Sequence, residues 1–169
     1  MEYLILLAKY NKEANAKMNV IIGTLADDEW NKQFNAHFKS IHELCAHVYN
    51  SDFTWLTRLK SAGDFKTLRD EYFSGQTGAN KLLIGNIDEY MKKRADLDAR
   101  IVNFMAELTD SDTAKKIKFV NYKGVEFEKT AGVLLTHMFN HDTHHRAMVS
   151  VYLEMLGKEN DYSGLYPYG

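Results

Sequence analysis

The chain's only proline is Pro167, close to the carboxyl end. Proline removes a backbone donor and clashes with the preceding turn of a helix, so a chain without it can run in long uninterrupted helices. Apolar residues recur at helical spacing in four stretches. The first runs from Tyr3 to about Leu25, through Leu4, Leu7, Ala8, Met18, Ile21 and Ile22. Asp27 and Asp28 in its exit suit a short turn of helix ahead of Phe34. The second starts near Ser40, where Ser40 and Glu43 form a capping-box pattern. It carries Ile41, Leu44, Val48, Trp55 and Leu59 and stops before Gly63. The third spans about Lys81 to Leu108, until Thr109-Asp110-Ser111-Asp112 breaks the period. The fourth covers about Ala131 to Leu156, with Gly157 as the glycine that ends it.

The segments between are short or irregular. Residues 63–80 are polar and glycine-bearing, a long connection with room for one short helix. From Lys116 to Thr130, aromatic and β-branched residues flank Asn121-Tyr122-Lys123-Gly124, which predicts a short hairpin. The tail from Lys158 onward, with three tyrosines, reads as an irregular strap. The expectation is an all-α protein: one four-helix-bundle domain over residues 1–169, with a short β-hairpin before the last helix.

Composition narrows the function classes. A formal net charge of -2 with no basic block argues against a nucleic-acid partner. No apolar run approaches the roughly 20 residues that span a bilayer, and Met1-Glu2-Tyr3-Leu4 lacks the basic start of a secretory signal. A cytoplasmic protein with no membrane partner is expected. The single Cys45 excludes an internal disulfide and any CxxC motif, and near the apolar stripe it reads as a small core residue. There is no glycine-rich phosphate loop and no GxSxG. Glu107, Glu126, Glu128 and the Lys92-Lys93-Arg94 run read as solvated faces.

The histidines are placed unevenly. His37, His42 and His47 form one group, His137, His141, His144 and His145 another, and none lies between. At about 100° per residue, with His141 set at zero, Leu134, Met138, Met148, Val149, Tyr152, Met155 and Leu156 fall between about -40° and +80°. His145 falls at about +40°, in the middle of that stripe, and His137 and His144 at about -40° and -60°, at its edge. A lone core histidine is satisfied most simply by a carbonyl. Two imidazoles one turn apart on a buried face have a shared divalent metal as the economical partner. Such a pair needs a third ligand, and on the second helix His42 and His47 lie on opposite sides of the stripe, so the wheel does not choose between them. His37 precedes that helix and reads as a loop residue. Met138 and Asp142 stand three positions before His141 and His145, where di-iron bundles carry Glu, which speaks against a ferritin-like centre.

Four stretches in order resemble the DinB/YfiT-like superfamily. They are Tyr10-Asn11 with Ala14-Asn15; Phe38 to Leu59 with Ser40-Ile41, His47 and Trp55-Leu56; Leu135 to Arg146; and Gly157 at the expected distance. The resemblance implies a four-helix bundle holding one divalent metal on three histidines, which fall on His47, His141 and His145. Zinc suits neutral imidazoles at near-tetrahedral geometry, and nickel and iron also accept nitrogen ligands. Members of the superfamily commonly follow His-His-Arg with Gly-Gln; here Ala147-Met148 stands instead, so a polar group is replaced by Met148.

By this resemblance the chain is expected to be a metal-dependent enzyme. Its substrate would be a small molecule such as a low-molecular-weight thiol, and its reaction a thiol-dependent S-transfer. The alternatives are a metal-dependent hydrolase and a non-catalytic, metal-stabilised bundle that binds a small molecule or serves a stress response. No general acid or base can be named. A homodimer is expected, with the Tyr162–Tyr168 tail as apolar surface with polar tips.

Overall fold

The computed structural model describes residues 1–69, 71–73 and 84–168. Its long helices are α1 (Glu2–Ile22), α3 (Ile41–Leu59), α5 (Ile87–Glu107) and α7 (Ala131–Met155). Three short ones, α2 (Asp27–Trp30), α4 (Lys66–Arg69) and α6 (Asp110–Ala114), lie in the connections. Each long helix packs on two others, α1 on α5 and α7 and α3 on α7 and α5, so the bundle closes around one apolar core. Leu44, Leu56, Leu97, Phe104, Leu135 and Leu153 are fully buried within it. Among the described residues, no helix is long and apolar enough to cross a membrane.

Local chemistry sets the helix ends. The Ser40 side chain accepts from the Glu43 N–H as the pattern predicts, but the Glu43 carboxylate reaches past Ser40 and accepts from the Lys39 N–H at 2.8 Å. The third long helix starts at Ile87, because the Asn86 side chain caps it by accepting from the Glu89 N–H. The expected start at Lys81 lies outside the described residues. Thr109 to Asp112, expected only as a break, also begins α6: Thr109 and Asp112 satisfy each other's backbone donors. Helix α7 ends with Gly157 at φ 73, where the Lys158 N–H bonds the Leu153 carbonyl and the Gly157 N–H the Glu154 carbonyl. Only a residue that tolerates the left-handed region closes a helix this way.

The hairpin forms as β1 (Lys116–Val120) paired antiparallel with β2 (Glu126–Thr130), Phe119 opposite Phe127. Its turn uses Gly124 at φ 77, and the Asn121 side chain accepts from the Lys123 and Val125 N–H groups. The tail is the expected strap, but Tyr162 is buried rather than available as a dimer surface. The Tyr10 hydroxyl donates to the Ser163 carbonyl at 3.1 Å, and Ser150 donates to the Tyr162 hydroxyl at 2.7 Å, so the strap clasps α1 to α7.

Candidate metal centre

Helices α3 and α7 pack against each other and carry every histidine of interest except His37. His47, His141 and His145 each offer one ring nitrogen to a group in which these atoms all lie within 4.8 Å of one another. The Nε2 atoms of His47 and His141 are 3.1 Å apart. Two nitrogens bound to tetrahedral zinc at about 2.05 Å would be separated by about 3.3 Å, so the donor set fits a divalent ion. Burial, followed by the neighbouring imidazoles, holds His141 down to about 3 and His145 to about 4; His47 is also lowered, mainly by burial. All three rings are therefore neutral at neutral pH, with lone pairs free to bind. The three-histidine cluster could hold a metal ion, and among the described residues no carboxylate or thiol joins it.

The other histidines are separated from this cluster by geometry. His42, on the far side of α3, lies between the Asn31 side-chain oxygen, 3.0 Å away, and the Ile84 carbonyl, and stacks on Trp30. His37 is exposed and packs edge-on against Phe38. His137 and His144 are exposed and touch the cluster only ring to ring, His137 on His141 at 6.0 Å and His144 on His145 at 4.9 Å.

Packing rather than hydrogen bonding orients the three rings. The Nδ1 atoms of both His141 and His145 are buried without a hydrogen-bond partner. Phe38, from the loop ahead of α3, lies 4.5 Å from the His47 ring and edge-on to His145 at 5.3 Å. A metal-bound histidine ordinarily fixes its tautomer by donating its second N–H to a carbonyl or carboxylate. Here an aromatic wall does the positioning.

The buried face of α7 is rotated from the one the wheel predicts. Asp142 and Arg146 lie on its most buried line together with Leu135, Val149 and Leu153, while Met155 is exposed. On the same scale the true centre lies near +80° to +90°. That places His145 on the shoulder of the buried face and His141 at its half-exposed edge, where a ligand can reach them. The wheel misses this because it treats charged residues as outward-facing.

Beneath the histidines lies a charged cluster that the sequence reading does not find. Arg94, expected on a solvated face, is fully buried and donates to Asp52 and Asp98 at 2.6 Å each. Asn15 donates to both Asp98 oxygens, and Arg146 donates to Asn11 and Asn15. Burial pushes the Asp98 carboxyl up to about 6 against the pull of Arg94 and Asn15. Asp142, wholly buried beside Asp52, is pushed well above the usual carboxylate range, first by burial and then by the Asp52 charge. Asp142 therefore favours its neutral, protonated form on the α7 side of the α3–α7 seam. A usable signal was present: Asp52 falls on the apolar stripe of α3, and Arg94 and Asp98 fall in line with Tyr90, Leu97 and Ile101.

Two further expectations meet the structure here. Cys45 is a buried free thiol, pushed up to about 12 by burial. Glu107 is not a free surface charge, because it accepts from the Thr67 backbone and hydroxyl. A cleft of about 440 Å³ lies on the hairpin, lined by Lys118, Phe119, Val120, Glu126, Phe127 and Glu128, and includes none of the histidines.

A closed bundle of four long helices with three convergent imidazoles between the second and the fourth defines a class of helical, potentially metal-binding proteins. The chain belongs to the DinB family, whose family model matches residues 1–164. It is 25% identical to Protein DinB of Bacillus subtilis (strain 168) over 168 residues, covering 98% of this chain and 94% of that protein. In fold it is similar to the crystal structure of a DinB-like protein (YjoA) from Bacillus subtilis, with a TM-score of 0.63 at 15% identity, covering 91% of this chain and 94% of the other.

Proposed function

We propose that the chain is a divalent-metal-dependent enzyme, with His47, His141 and His145 as ligands and a low-molecular-weight thiol as a substrate. The observation that carries this reading is the composition of the cluster: three neutral imidazoles with no fourth protein ligand among the described residues. Structural zinc sites are closed by four protein ligands, whereas catalytic sites keep a position open. A divalent ion held there supplies Lewis acidity that makes a thiol or water a better nucleophile at neutral pH. Zinc is the ion best matched to neutral imidazoles.

The chain's own residues have definable parts in this. Burial keeps the ligand rings unprotonated, and Phe38 sets the faces of His47 and His145 and shields them from water. The partly exposed His47 and His141 leave the cluster open on the outer side of the α3–α7 seam, the approach for a substrate. A homodimer in the cytoplasm is part of the same reading.

Calorimetric titration of zinc-loaded and metal-free protein with 2-mercaptoethanol and its S-methyl ether tests the proposal. Binding of the free thiol alone, to the zinc-loaded form alone, is the expected result. Tight zinc binding with no preference for the thiol would instead favour a metal-stabilised, non-catalytic bundle.

A further inference from the structure

The seam between α3 and α7 continues beyond the three histidines toward the hairpin. His137 lies one turn from His141, its ring 6.0 Å away, and packs edge-on against Trp55 at 4.9 Å. On α3, Ser51 and Trp55 stand one and two turns beyond His47, both half-buried. The Arg58 guanidinium then lies over the Trp55 ring at 4.5 Å and over the Phe119 ring of β1 at 4.7 Å. A wall of rings thus leads from the histidine cluster to one cation packed against Trp55 and Phe119, which meet each other edge-on with ring centroids 5.4 Å apart.

Arg58 is placed and half-buried but not neutralised. One of its N–H groups donates to the Val120 carbonyl at 3.1 Å. Its Nε and Nη1 have no protein partner among the described residues, and no carboxylate pairs with it. The nearby hairpin acids are elsewhere: Glu128 pairs with Lys116 at 3.4 Å, and Glu126 lies opposite Val120 without an ion pair to Arg58. Anchoring the hairpin requires only the single bond to Val120 and the stack on Phe119. The unused N–H edge is a fork whose geometry matches a carboxylate. Packing against Trp55 and Phe119, with the bond to Val120, restrains that fork in advance and so lowers the ordering entropy lost on binding.

We propose that Arg58, packed against Trp55 and Phe119, is the recognition site for a carboxylate on the molecule whose reacting end lies at His47, His141 and His145. The reacting end rests on the metal-centre reading above; the carboxylate subsite does not. The three steps of 6.0, 4.9 and 4.5 Å bound the distance between the two ends. A bridging molecule need be no longer than roughly four residues of extended chain. The substrate class is therefore a small monocarboxylate with a flat or apolar body that lies along His137 and Trp55.

The test uses 4-phenylbutanoate and its neutral amide, followed by NMR of the tryptophan indole N–H groups. Trp55 is half-buried at the subsite, and Trp30, fully buried elsewhere, serves as the internal control. In metal-free and zinc-loaded protein alike, the acid should shift the Trp55 signal, leave Trp30 unmoved and bind at least about 10-fold more tightly than the amide, a preference that weakens as salt is added. Arg58→Gln should abolish the preference while leaving amide binding intact. The wild-type comparison of acid with amide needs no substitution, so it decides the matter even if Arg58→Gln loosens the hairpin. Equal binding of acid and amide would overturn the proposal, as would a preference that survives Arg58→Gln. A preference seen only with zinc would place the carboxylate on the three histidines and overturn it too. A preference that persists in a protein unable to bind zinc would overturn the metal reading and leave the subsite standing.

Discussion

The three histidines and the charged cluster beneath them share the same helix seam but are held in opposite ways. Arg94, Asp52, Asp98, Asn15 and Arg146 are tied to one another by ion pairs and hydrogen bonds and are almost completely buried, although Arg94 Nε and Asp52 Oδ1 stay unpartnered inside. The histidines are neutral, leave two Nδ1 atoms unpartnered, and depend on ring contacts with Phe38 and one another. A network of opposite charges shut off from solvent fixes a structure and offers a ligand no approach. A neutral donor cluster at a half-exposed edge can be reached. The contrast separates what holds α3 against α7 from what the seam is shaped to bind.

Removing the cation of the charged cluster should give the largest effect. Arg94→Met leaves buried carboxylates without their counter-charge and is expected to cost about 3–5 kcal/mol in urea denaturation. A loss below about 1 kcal/mol would mean that the network does not hold the helices. The histidine cluster should respond in the reverse manner. His47→Ala, His141→Ala and His145→Ala should each take bound zinc from one ion per chain to none by native mass spectrometry, while metal-free stability changes by less than about 1 kcal/mol. His137→Ala and His144→Ala should keep the ion. If His137→Ala loses zinc and His145→Ala retains it, the ligand register is wrong by one turn.

Acid should separate the two regions by sign. With folded values of about 3 for His141 and about 4 for His145 against about 6.5 unfolded, the unfolded chain binds more protons in between. Their contribution is complete above about pH 6.5 and is lost as pH falls through the folded values. Asp98, raised to about 6, acts oppositely: its contribution is present at low pH and is lost as pH rises through that value. Metal-free His141→Ala should therefore lose less stability than the parent between about pH 6.5 and 4 when both are unfolded in urea. Zinc affinity should fall with pH because protons compete for the ligand nitrogens, and the lowered values put that loss at a lower pH than for free histidines, as dialysis across the acid range would show. Release already complete at pH 6 would mean that the rings are not desolvated as described. The smallest effect belongs to the aromatic wall: Phe38→Ala should weaken zinc about 10-fold in competition with a chelator, with zinc stoichiometry unchanged.

The helices and hairpin were legible because their signals are local. Apolar periodicity gave α1, α3, α5 and α7, Ser40 marked a helix start, and Gly124 and Gly157 marked a turn and a helix end. The cap of α5, Asn86, looks like an ordinary polar residue, so the apolar period carries the expected helix back through Ile84, which lies ahead of the cap. At the site, spacing singled out His141 and His145, but choosing His47 over His42 required the family resemblance. The structure then showed both His42 nitrogens engaged elsewhere. The ion cluster was hidden for a physical reason: burial of Arg94 is favourable only beside Asp52 and Asp98, and one of these partners lies 42 positions away in the chain. Periodicity puts Arg94 and Asp52 on the buried lines of their own helices but cannot pair them across that separation.

His47 and His141 stand 94 positions apart in sequence. An ion that needs both therefore binds the native chain and has almost no hold on the unfolded one. By mass action such a ligand adds about 4 kcal/mol to the folding equilibrium at a thousand times its dissociation constant. The lifetime of this bundle against proteases and heat would then follow the metal supply of its surroundings. Chelation would shorten it before any catalytic loss was measured, making thermal shift on chelation a readout that needs no knowledge of the substrate.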